Sequence, residues 1–249
     1  MSEAAYDRMG VGYSAVRRPE PRIAARVEAA LGDARSVLNV GAGSGSYEPA
    51  EREVTAVEPS RTMIAQRPPG AAPVIQATAE QLPFEDNSFD ATMAMITIQH
   101  WSDVARGLAE MRRVARRRVV LLTFDGPVAR ELWLVRYFPS ALTCHANAMP
   151  PIEGLTELLP GASVEAVPVP SECADGFFIA IWDRPELHLD PDVRRASSVW
   201  HMLPQGEIDE GLARLEADLE SGRWDERYGH LRSQAELDVG LRLVTADLG

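Results

Sequence analysis

Short apolar segments recur along the first half of the chain, separated by clusters of glycine, proline and polar residues. A short apolar segment that ends in turn-forming residues is typical of a strand buried on both faces of a parallel sheet. Because amphipathic segments lie between them, the pattern predicts a doubly wound α/β core with helices on both sides of the sheet. The predicted strands span residues 35–40, 53–57, 73–76, 89–98 and 118–123, followed by a sixth strand at 163–169 and a last strand at 239–245.

Amphipathic helices are predicted where apolar residues recur at intervals of three or four positions. The first begins at Pro21, places Ile23, Val27 and Leu31 on one face and ends at Gly32. Further helices are predicted over residues 60–66, after an N-cap at Ser102, and over residues 208–219.

Residues 175–182 fit either a strand or a helix. We favour a helix capped by Asp175, because Phe178 and Trp182 lie four positions apart and Pro185 would end it.

The chain has 249 residues, of which 25 are basic and 37 acidic, so its formal net charge is −12. Non-specific binding to nucleic acids and adsorption to anionic membranes both need basic surface. We therefore expect no nucleic-acid partner and no membrane partner. All of the basic residues other than histidine are arginine, which excludes a Schiff-base lysine and the lysine of a phosphate-binding P-loop.

Cys144 and Cys173 are too few for a disulfide framework and lack the spacing of a zinc site. We therefore expect no metal centre and a reduced, cytoplasmic setting. The first residues do not show the basic and then apolar pattern of a signal peptide. The purest apolar run, residues 119–122, is far shorter than a membrane span.

A glycine-rich turn follows the first predicted strand, with glycines at 41, 43 and 45. Such a turn presents backbone N–H groups at the carboxyl edge of a parallel sheet, where ligands bind. A dinucleotide fingerprint would need glycine at 46, where the chain has Ser46. Glu58 ends the second strand, 17 positions after Gly41, where a carboxylate can accept both ribose hydroxyls of an adenosine. Together these features predict a small-molecule cofactor of the nucleoside type.

Four motifs extend this pattern: VLNVGAGSG at 37–45, AVEPS at 56–60, AEQLPF at 79–84 and SFD at 88–90. In order and spacing they resemble class I S-adenosylmethionine-dependent methyltransferases. The small-molecule branch is the most similar, with its ubiquinone/menaquinone-biosynthesis and biotin-synthesis types. The resemblance implies S-adenosyl-L-methionine as cofactor and a Rossmann-like doubly wound sheet. That sheet would be seven-stranded and mainly parallel, with an antiparallel last strand and helical insertions after the fifth and sixth strands.

The resemblance also implies a single methyltransferase domain over residues 1–249. Residues 1–32 would form an N-terminal helical cap and residues 33–124 the cofactor-binding core. Residues 125–238 would hold substrate-specificity insertions around the sixth strand, and residues 239–249 the last strand.

Cofactor contacts follow from the same resemblance, with Glu58 expected to hold the ribose. Asn39 and Thr78 depart from the family pattern, which usually has Asp at both positions. Since both side chains keep their capacity for hydrogen bonds, we expect retained binding with altered affinity. The other expected contacts are Gly41, Ala42 and Gly43 at the methionine end, Pro59, Ser60 and Met63 near the adenine, Ala79 and Glu80 at its edge, Ile98 as a further cofactor contact, and Tyr13 and Arg18 in an N-terminal segment that closes over the cofactor.

Gln99, His100 and Trp101 come at the end of the fourth predicted strand. His100 titrates near neutrality and is the candidate catalytic base. Trp101 would form an apolar or cation-binding wall for the substrate, and Gln99 would lie beside it. The alternative is that Trp101 packs under the following helix and His100 faces solvent.

A second candidate substrate region contains Trp133, Tyr137 and His145. Substrate pockets are mostly apolar with a few placed polar groups. Aromatic residues four positions apart are more often part of a hydrophobic core, which is the alternative for Trp133 and Tyr137. Glu172 and Asp175 follow the sixth strand and could meet a cationic substrate, although a helix cap is the commoner role for such an acid.

Three functions remain open from the sequence. The first is transfer of a methyl group to a small, partly apolar metabolite by in-line displacement, mainly through positioning and desolvation. The second is a rearrangement or cyclisation without methyl transfer, and the third is a cofactor sensor without catalysis. Of the three, only methyl transfer produces S-adenosylhomocysteine.

Overall fold

A seven-stranded sheet forms the centre of the computed structural model, which describes residues 18–143, 151–195 and 197–249. The strand order is β3-β2-β1-β4-β5-β9-β6, and β7 and β8 pair separately. The strands are β1 (Ser36–Val40), β2 (Glu53–Val57), β3 (Val74–Ile75), β4 (Phe89–Met95), β5 (Ala115–Phe124), β6 (Ser163–Ala166), β7 (Val169–Pro170), β8 (Glu236–Leu237) and β9 (Leu241–Asp247).

Strands β1 to β5 pair in parallel, whereas β9 runs antiparallel to both β5 and β6. This arrangement confirms the mainly parallel, doubly wound sheet with an antiparallel last strand. The helices are α1 (Pro21–Leu31), α2 (Arg61–Ala65), α3 (Val104–Val114), α4 (Gly126–Ala129), α5 (Leu134–Tyr137), α6 (Ile152–Leu158), α7 (Pro191–Arg195), α8 (Ser198–Met202), α9 (Gln205–Glu220) and α10 (Arg223–Tyr228), with 3₁₀ turns at Ile98–His100, Pro185–Leu189 and Gly229–Ser233.

Both faces of the sheet are covered, because successive side chains of a strand point to opposite sides. Val37 of β1 belongs to the core cluster that contains Ile23 and Leu31 of α1. The next residue, Leu38, belongs to the cluster that contains Leu108 of α3. All of these side chains are at most 1% exposed. Among the described helices, none is long and apolar enough to cross a membrane.

The helix predicted over residues 175–182 is wrong, since most of this segment forms consecutive turns. Its side chains from Phe177 to Trp182 are all buried, so the segment has no polar face to give it a helical pattern. Indole groups take up part of the backbone hydrogen bonding instead. Trp133 Nε1 donates to the Trp182 carbonyl at 2.7 Å, and Trp182 Nε1 donates to the Val169 carbonyl at 3.1 Å.

The fourth strand also ends earlier than predicted, at Met95. Ile96 has a φ of 52°, which is rare for a β-branched residue and turns the chain out of the strand. The following helix is capped by Asp103, whose carboxylate accepts from the Arg106 amide. Ser102, the predicted cap, donates from its amide and its hydroxyl to Glu80.

Candidate functional site

A cavity of about 530 Å³ opens at the carboxyl ends of β1, β2 and β4. Its volume lies within the range of pockets that bind small molecules and cofactors. Thirteen of its lining residues were predicted as site residues from the sequence: Asn39, Gly41, Ala42, Gly43, Glu58, Pro59, Ser60, Met63, Thr78, Ala79, Glu80, His100 and Trp101.

The glycine turn after β1 places backbone against the cavity. Gly41 has a φ of 71°, and a Cβ added to it would lie 2.4 Å from Thr97 Oγ1. The amides of Gly41 and Ala42 both donate to the Val57 carbonyl, at 2.9 and 3.0 Å. Glycine at 41 is therefore required both by the backbone conformation and by the close approach of the loop after β4.

Glu58 lies at the end of β2 and is 6% exposed. Its Oε2 accepts from the Gly43 amide at 2.8 Å and its Oε1 from the Ser60 amide at 2.9 Å. Burial raises the pKa of this carboxyl, although both amides and the Arg67 guanidinium oppose the shift. The two amides fix the carboxylate, and since each of its oxygens has a second lone pair, the group can still accept the hydroxyls of a bound nucleoside.

Asn39 presents a buried acceptor. Its side chain is 1% exposed, and its Oδ1 accepts no hydrogen bond from the described residues. Its Nδ2 donates to Glu48 Oε1 at 3.1 Å. A buried carbonyl oxygen without a donor is costly. Asn39 lines the cavity, so its side chain suits a ligand that carries N–H groups.

Comparisons with known proteins agree with this geometry. A model of the methyltransferase domain family matches residues 38–123. The crystal structure of an Anabaena variabilis protein, described as a methyltransferase from an antibiotic biosynthesis pathway, is 32% identical with a TM-score of 0.86. The alignment covers 94% of this chain and 99% of that chain. The chain belongs to the class I S-adenosylmethionine-dependent methyltransferases.

Two curated relatives of this methyltransferase match over shorter segments. A malonyl-[acyl-carrier protein] O-methyltransferase of Pseudescherichia vulneris is 32% identical over 121 residues, which cover 45% of this chain and 48% of that protein. A Mycobacterium tuberculosis methyltransferase without an assigned substrate is 40% identical over 91 residues, which cover 33% of this chain and 36% of that protein. The matches thus span less than half of either relative.

The methyltransferase's cavity fits its cofactor. The sulfonium donor carries an ammonium group, two ribose hydroxyls and an adenine. The orphaned Asn39 Oδ1 suits the first, the Glu58 carboxylate suits the second, and the apolar side chain of Met63 suits the third. Met63 is held in place because the Ser60 hydroxyl accepts from its amide at 3.2 Å.

The Glu80 carboxylate of the methyltransferase site bonds the loop that follows β4. Its Oε1 accepts from the Ser102 amide at 2.7 Å, from the Ser102 hydroxyl at 2.8 Å and from the Asp103 amide at 3.2 Å. Burial opposes ionisation, but these hydrogen bonds lower the pKa of the Glu80 carboxyl. Glu80 thereby ties the cavity edge near Ala79 to the loop after β4.

His100 and Trp101 both line the methyltransferase's cavity. Trp101 packs on α3 so closely that a Cβ added to Gly107 would lie 2.5 Å from its ring. Gln99 donates from Nε2 to the Ile96 carbonyl at 3.1 Å, and its Nε2 lies 3.3 Å from His100 Nε2. Gln99 is thus placed to hold the left-handed turn at Ile96 and to orient the His100 ring, while the neighbouring Ile98 is fully buried.

The second candidate substrate region lies away from the cavity lining. Trp133 and Tyr137 are 3% and 4% exposed and belong to the large core cluster beside α1. The Tyr137 hydroxyl donates to Asp218 at 2.8 Å, and desolvation and this carboxylate raise its pKa. Trp133 and Tyr137 are thus part of the hydrophobic core, which was the alternative to a substrate pocket. Tyr13 and His145 lie outside the described residues, and Arg18 is exposed.

Eight lining residues were not predicted. Ser44, Ala77 and Ser102 directly adjoin predicted site residues, so these three were missed at the boundaries of the predicted motifs. Ile96 and Thr97 differ, because nothing in a β-branched pair indicates a left-handed turn. The unpredicted lining residues are Ser44, Ser46, Gln76, Ala77, Met95, Ile96, Thr97 and Ser102.

Proposed function

We propose that this protein transfers a methyl group from S-adenosyl-L-methionine to a small, partly apolar metabolite. The observation that carries the proposal is one cavity at the carboxyl edge of the sheet. Glu58, Asn39 and His100 all line it. A formal net charge of −12 supports a free metabolite over a nucleic acid.

The bound donor supplies an electrophilic methyl group on a positively charged sulfur. What the chain must contribute is mainly position, because in-line displacement requires the acceptor atom, the methyl carbon and the sulfur to be collinear. The glycine turn and Glu58 fix the donor's nucleoside and methionine ends. Met95, Ile96 and Trp101 form an apolar wall that limits the access of water.

His100 is the candidate proton acceptor for an acceptor atom that carries a hydrogen. It lies on the 3₁₀ turn Ile98–His100, where the Thr97 carbonyl accepts from its amide at 2.9 Å. We assign Trp101 to the substrate wall. A substrate that reacts as a carboxylate or an acidic phenol would need no base, so the His100 role depends on the acceptor.

The test is incubation of the full chain with methyl-labelled donor and a pool of small metabolites. The expected result is label in a discrete small product together with S-adenosylhomocysteine. Tight donor binding without transfer to any pool would contradict the proposal. That outcome would leave the rearrangement or the sensor function, and conversion of a metabolite without label would identify the rearrangement.

A further inference from the structure

A buried ion pair lies beneath the glycine turn. Arg67, just after α2, donates from Nη2 to both oxygens of the Glu48 carboxylate at 2.8 Å. The two side chains are 5% and 10% exposed. Arg67 also donates from Nη1 to the Gly43 carbonyl at 3.3 Å and from Nη2 to the Ala72 carbonyl at 3.0 Å. The ion pair is therefore bonded to the glycine turn through the Gly43 carbonyl.

Gly45 lets the pair approach the turn. Its φ is 97°, and a Cβ at this position would lie 3.2 Å from Glu48 Oε2 and 3.3 Å from Arg67 Nη1. The third glycine of the motif is thus explained by the ion pair beneath it, whereas Gly41 is explained by the loop after β4.

Glu48 decides which way the Asn39 amide points. A carboxylate can only accept hydrogen bonds, so the NH₂ group of Asn39 must face Glu48 Oε1, 3.1 Å away. The opposite orientation would put a carbonyl oxygen against a carboxylate. Asn39 Oδ1 is consequently the atom turned from Glu48 and left without a donor in the described structure.

We propose that Arg67 and Glu48 are positioning residues for donor binding: Arg67 holds Glu48 beside the glycine turn, and Glu48 orients the Asn39 amide. The proposal rests on the proposed function, because Asn39 Oδ1 is assigned to the donor's ammonium. It makes asparagine a requirement at position 39. An aspartate there would put its carboxylate directly against that of Glu48, whose guanidinium partner is Arg67.

The charges of the cluster can be exchanged without changing their sum. Arg67, Glu48 and Asn39 together carry no net charge, and the double variant Asn39→Asp/Glu48→Gln keeps that sum because the negative charge only moves from position 48 to position 39. In that variant the side-chain amide at position 48 donates to the carboxylate at position 39, and its carbonyl oxygen accepts from Arg67. Glu58, directly after β2, also lies within electrostatic reach of Arg67, and none of these substitutions alters it.

The experiment compares the wild type with Asn39→Asp, Glu48→Gln, the double variant and Asn39→Ala. Melting temperature without donor is measured from pH 5 to pH 8, and donor affinity is measured by calorimetry. Asn39→Asp is expected to melt below the wild type at pH 8 and to approach it as pH falls, because protonation of one of the two facing carboxylates relieves their repulsion. The double variant is expected to melt above both single variants at pH 8.

Donor affinity gives the second readout. Glu48→Gln frees the Asn39 amide to turn, and Asn39→Ala removes the acceptor. Each is expected to raise the donor Kd at least about tenfold, as for a lost hydrogen bond to a charged group. Asn39→Ala serves as the control without an added charge, since its melting temperature should follow the wild type's dependence on pH.

The outcomes separate the positioning role from the proposed function. Two results would overturn the positioning role. One is a loss of melting temperature in the double variant that equals the sum of the losses in the single variants. The other is a difference in melting temperature between Asn39→Asp and the wild type that does not change with pH. If Glu48→Gln does not fold, the pH series of Asn39→Asp and the stability of the double variant still decide. A wild-type chain that binds no donor would refute the proposed function, while the melting series would still judge the cluster.

Discussion

The Tyr47 hydroxyl donates a hydrogen bond of 2.9 Å to Asp175, 128 positions further along the chain. Tyr47 directly follows the glycine turn and has a φ of 63°, which is strained for an aromatic residue. Asp175 belongs to the segment after β7, in the predicted substrate-specificity region. Glu20 joins the same cluster, because its carboxylate accepts from the Ala174 amide at 2.9 Å. The glycine turn and the segment after β7 are therefore linked through buried polar contacts.

Loss of the hydrogen bond between Tyr47 and Asp175 should destabilise the glycine turn and reduce donor affinity. We expect Tyr47→Phe to lower the free energy of unfolding by about 1–3 kcal/mol, as for a lost buried hydrogen bond, and to raise the donor Kd several-fold. Tyr137→Phe is the matched control, since it deletes another tyrosine–aspartate hydrogen bond, of 2.8 Å, outside the cavity lining. Chemical denaturation and calorimetry check both effects. Equal changes of donor affinity in the two variants would contradict the link.

His188 should make the fold sensitive to acid. It is completely buried among Trp133, Phe178 and Trp200, and neither ring nitrogen has a partner among the described residues. Burial lowers its pKa to about 3, so the unfolded chain takes up a proton before the folded one does. Stability contributed by neutral His188 is complete above about pH 6.5 and is lost as pH falls toward 3.

The His188→Leu variant removes that proton uptake. We expect its free energy of unfolding to fall less than the wild type's between pH 7 and pH 4, as measured by urea denaturation. His201→Gln, at an exposed histidine, is measured in parallel as the control. Parallel curves for His188→Leu and the wild type would show that His188 is not the responsible group.

Gly107 leaves room for the ring of Trp101, which lines the cavity. An added Cβ would lie 2.5 and 2.7 Å from ring atoms of Trp101, so Gly107→Ala must displace the ring or α3. We expect a loss of about 1–3 kcal/mol from overpacking together with weaker donor binding. Gly154→Ala in α6 is the control, since nothing lies within 4 Å of its Cβ. It should gain stability by about 1 kcal/mol through helix propensity.

Glu58 should show a conflict between stability and binding. Burial raises its pKa, so its ionisation costs folding free energy as pH rises above the ordinary value of a glutamate. Glu58→Gln removes this cost while its one carbonyl oxygen replaces two carboxylate oxygens. We expect the donor-free variant to lose less stability between pH 5 and pH 8 than the wild type, and donor affinity to fall at least about tenfold. Unchanged affinity would refute the ribose assignment.

The sequence predicted those features that depend on local pattern. The positions of strands β1 to β5 along the chain, the turn at Gly41 and the acid at Glu58 all follow from periodicity and motif spacing. It did not predict the turn at Ile96, because the conformation is imposed by neighbours rather than by the residue's own preference. The segment 175–182 failed for a related reason: a fully buried segment has no polar face, so periodicity cannot distinguish a helix from turns.

The sequence also did not predict which residues would be in contact when they lie far apart along the chain. The spacing of Trp133 and Tyr137 already allowed a place in the core, but only the fold identifies Trp224 and His188 as the rings that pack on Trp133. The ion pair of Arg67 with Glu48 likewise leaves no local signal, since the two residues lie 19 positions apart across β2 and α2.

Strand β9 is last in the chain but lies between β5 and β6 in the sheet. The edge of β5, with its apolar residues Val119 to Leu122, therefore has no partner during synthesis until Leu241–Asp247 emerge. At about 5–20 residues per second this interval is roughly 6 to 25 s. An open apolar edge of that duration is a site for aggregation. The yield of folded protein should therefore depend on translation speed after residue 124 and on chaperones that protect nascent β5.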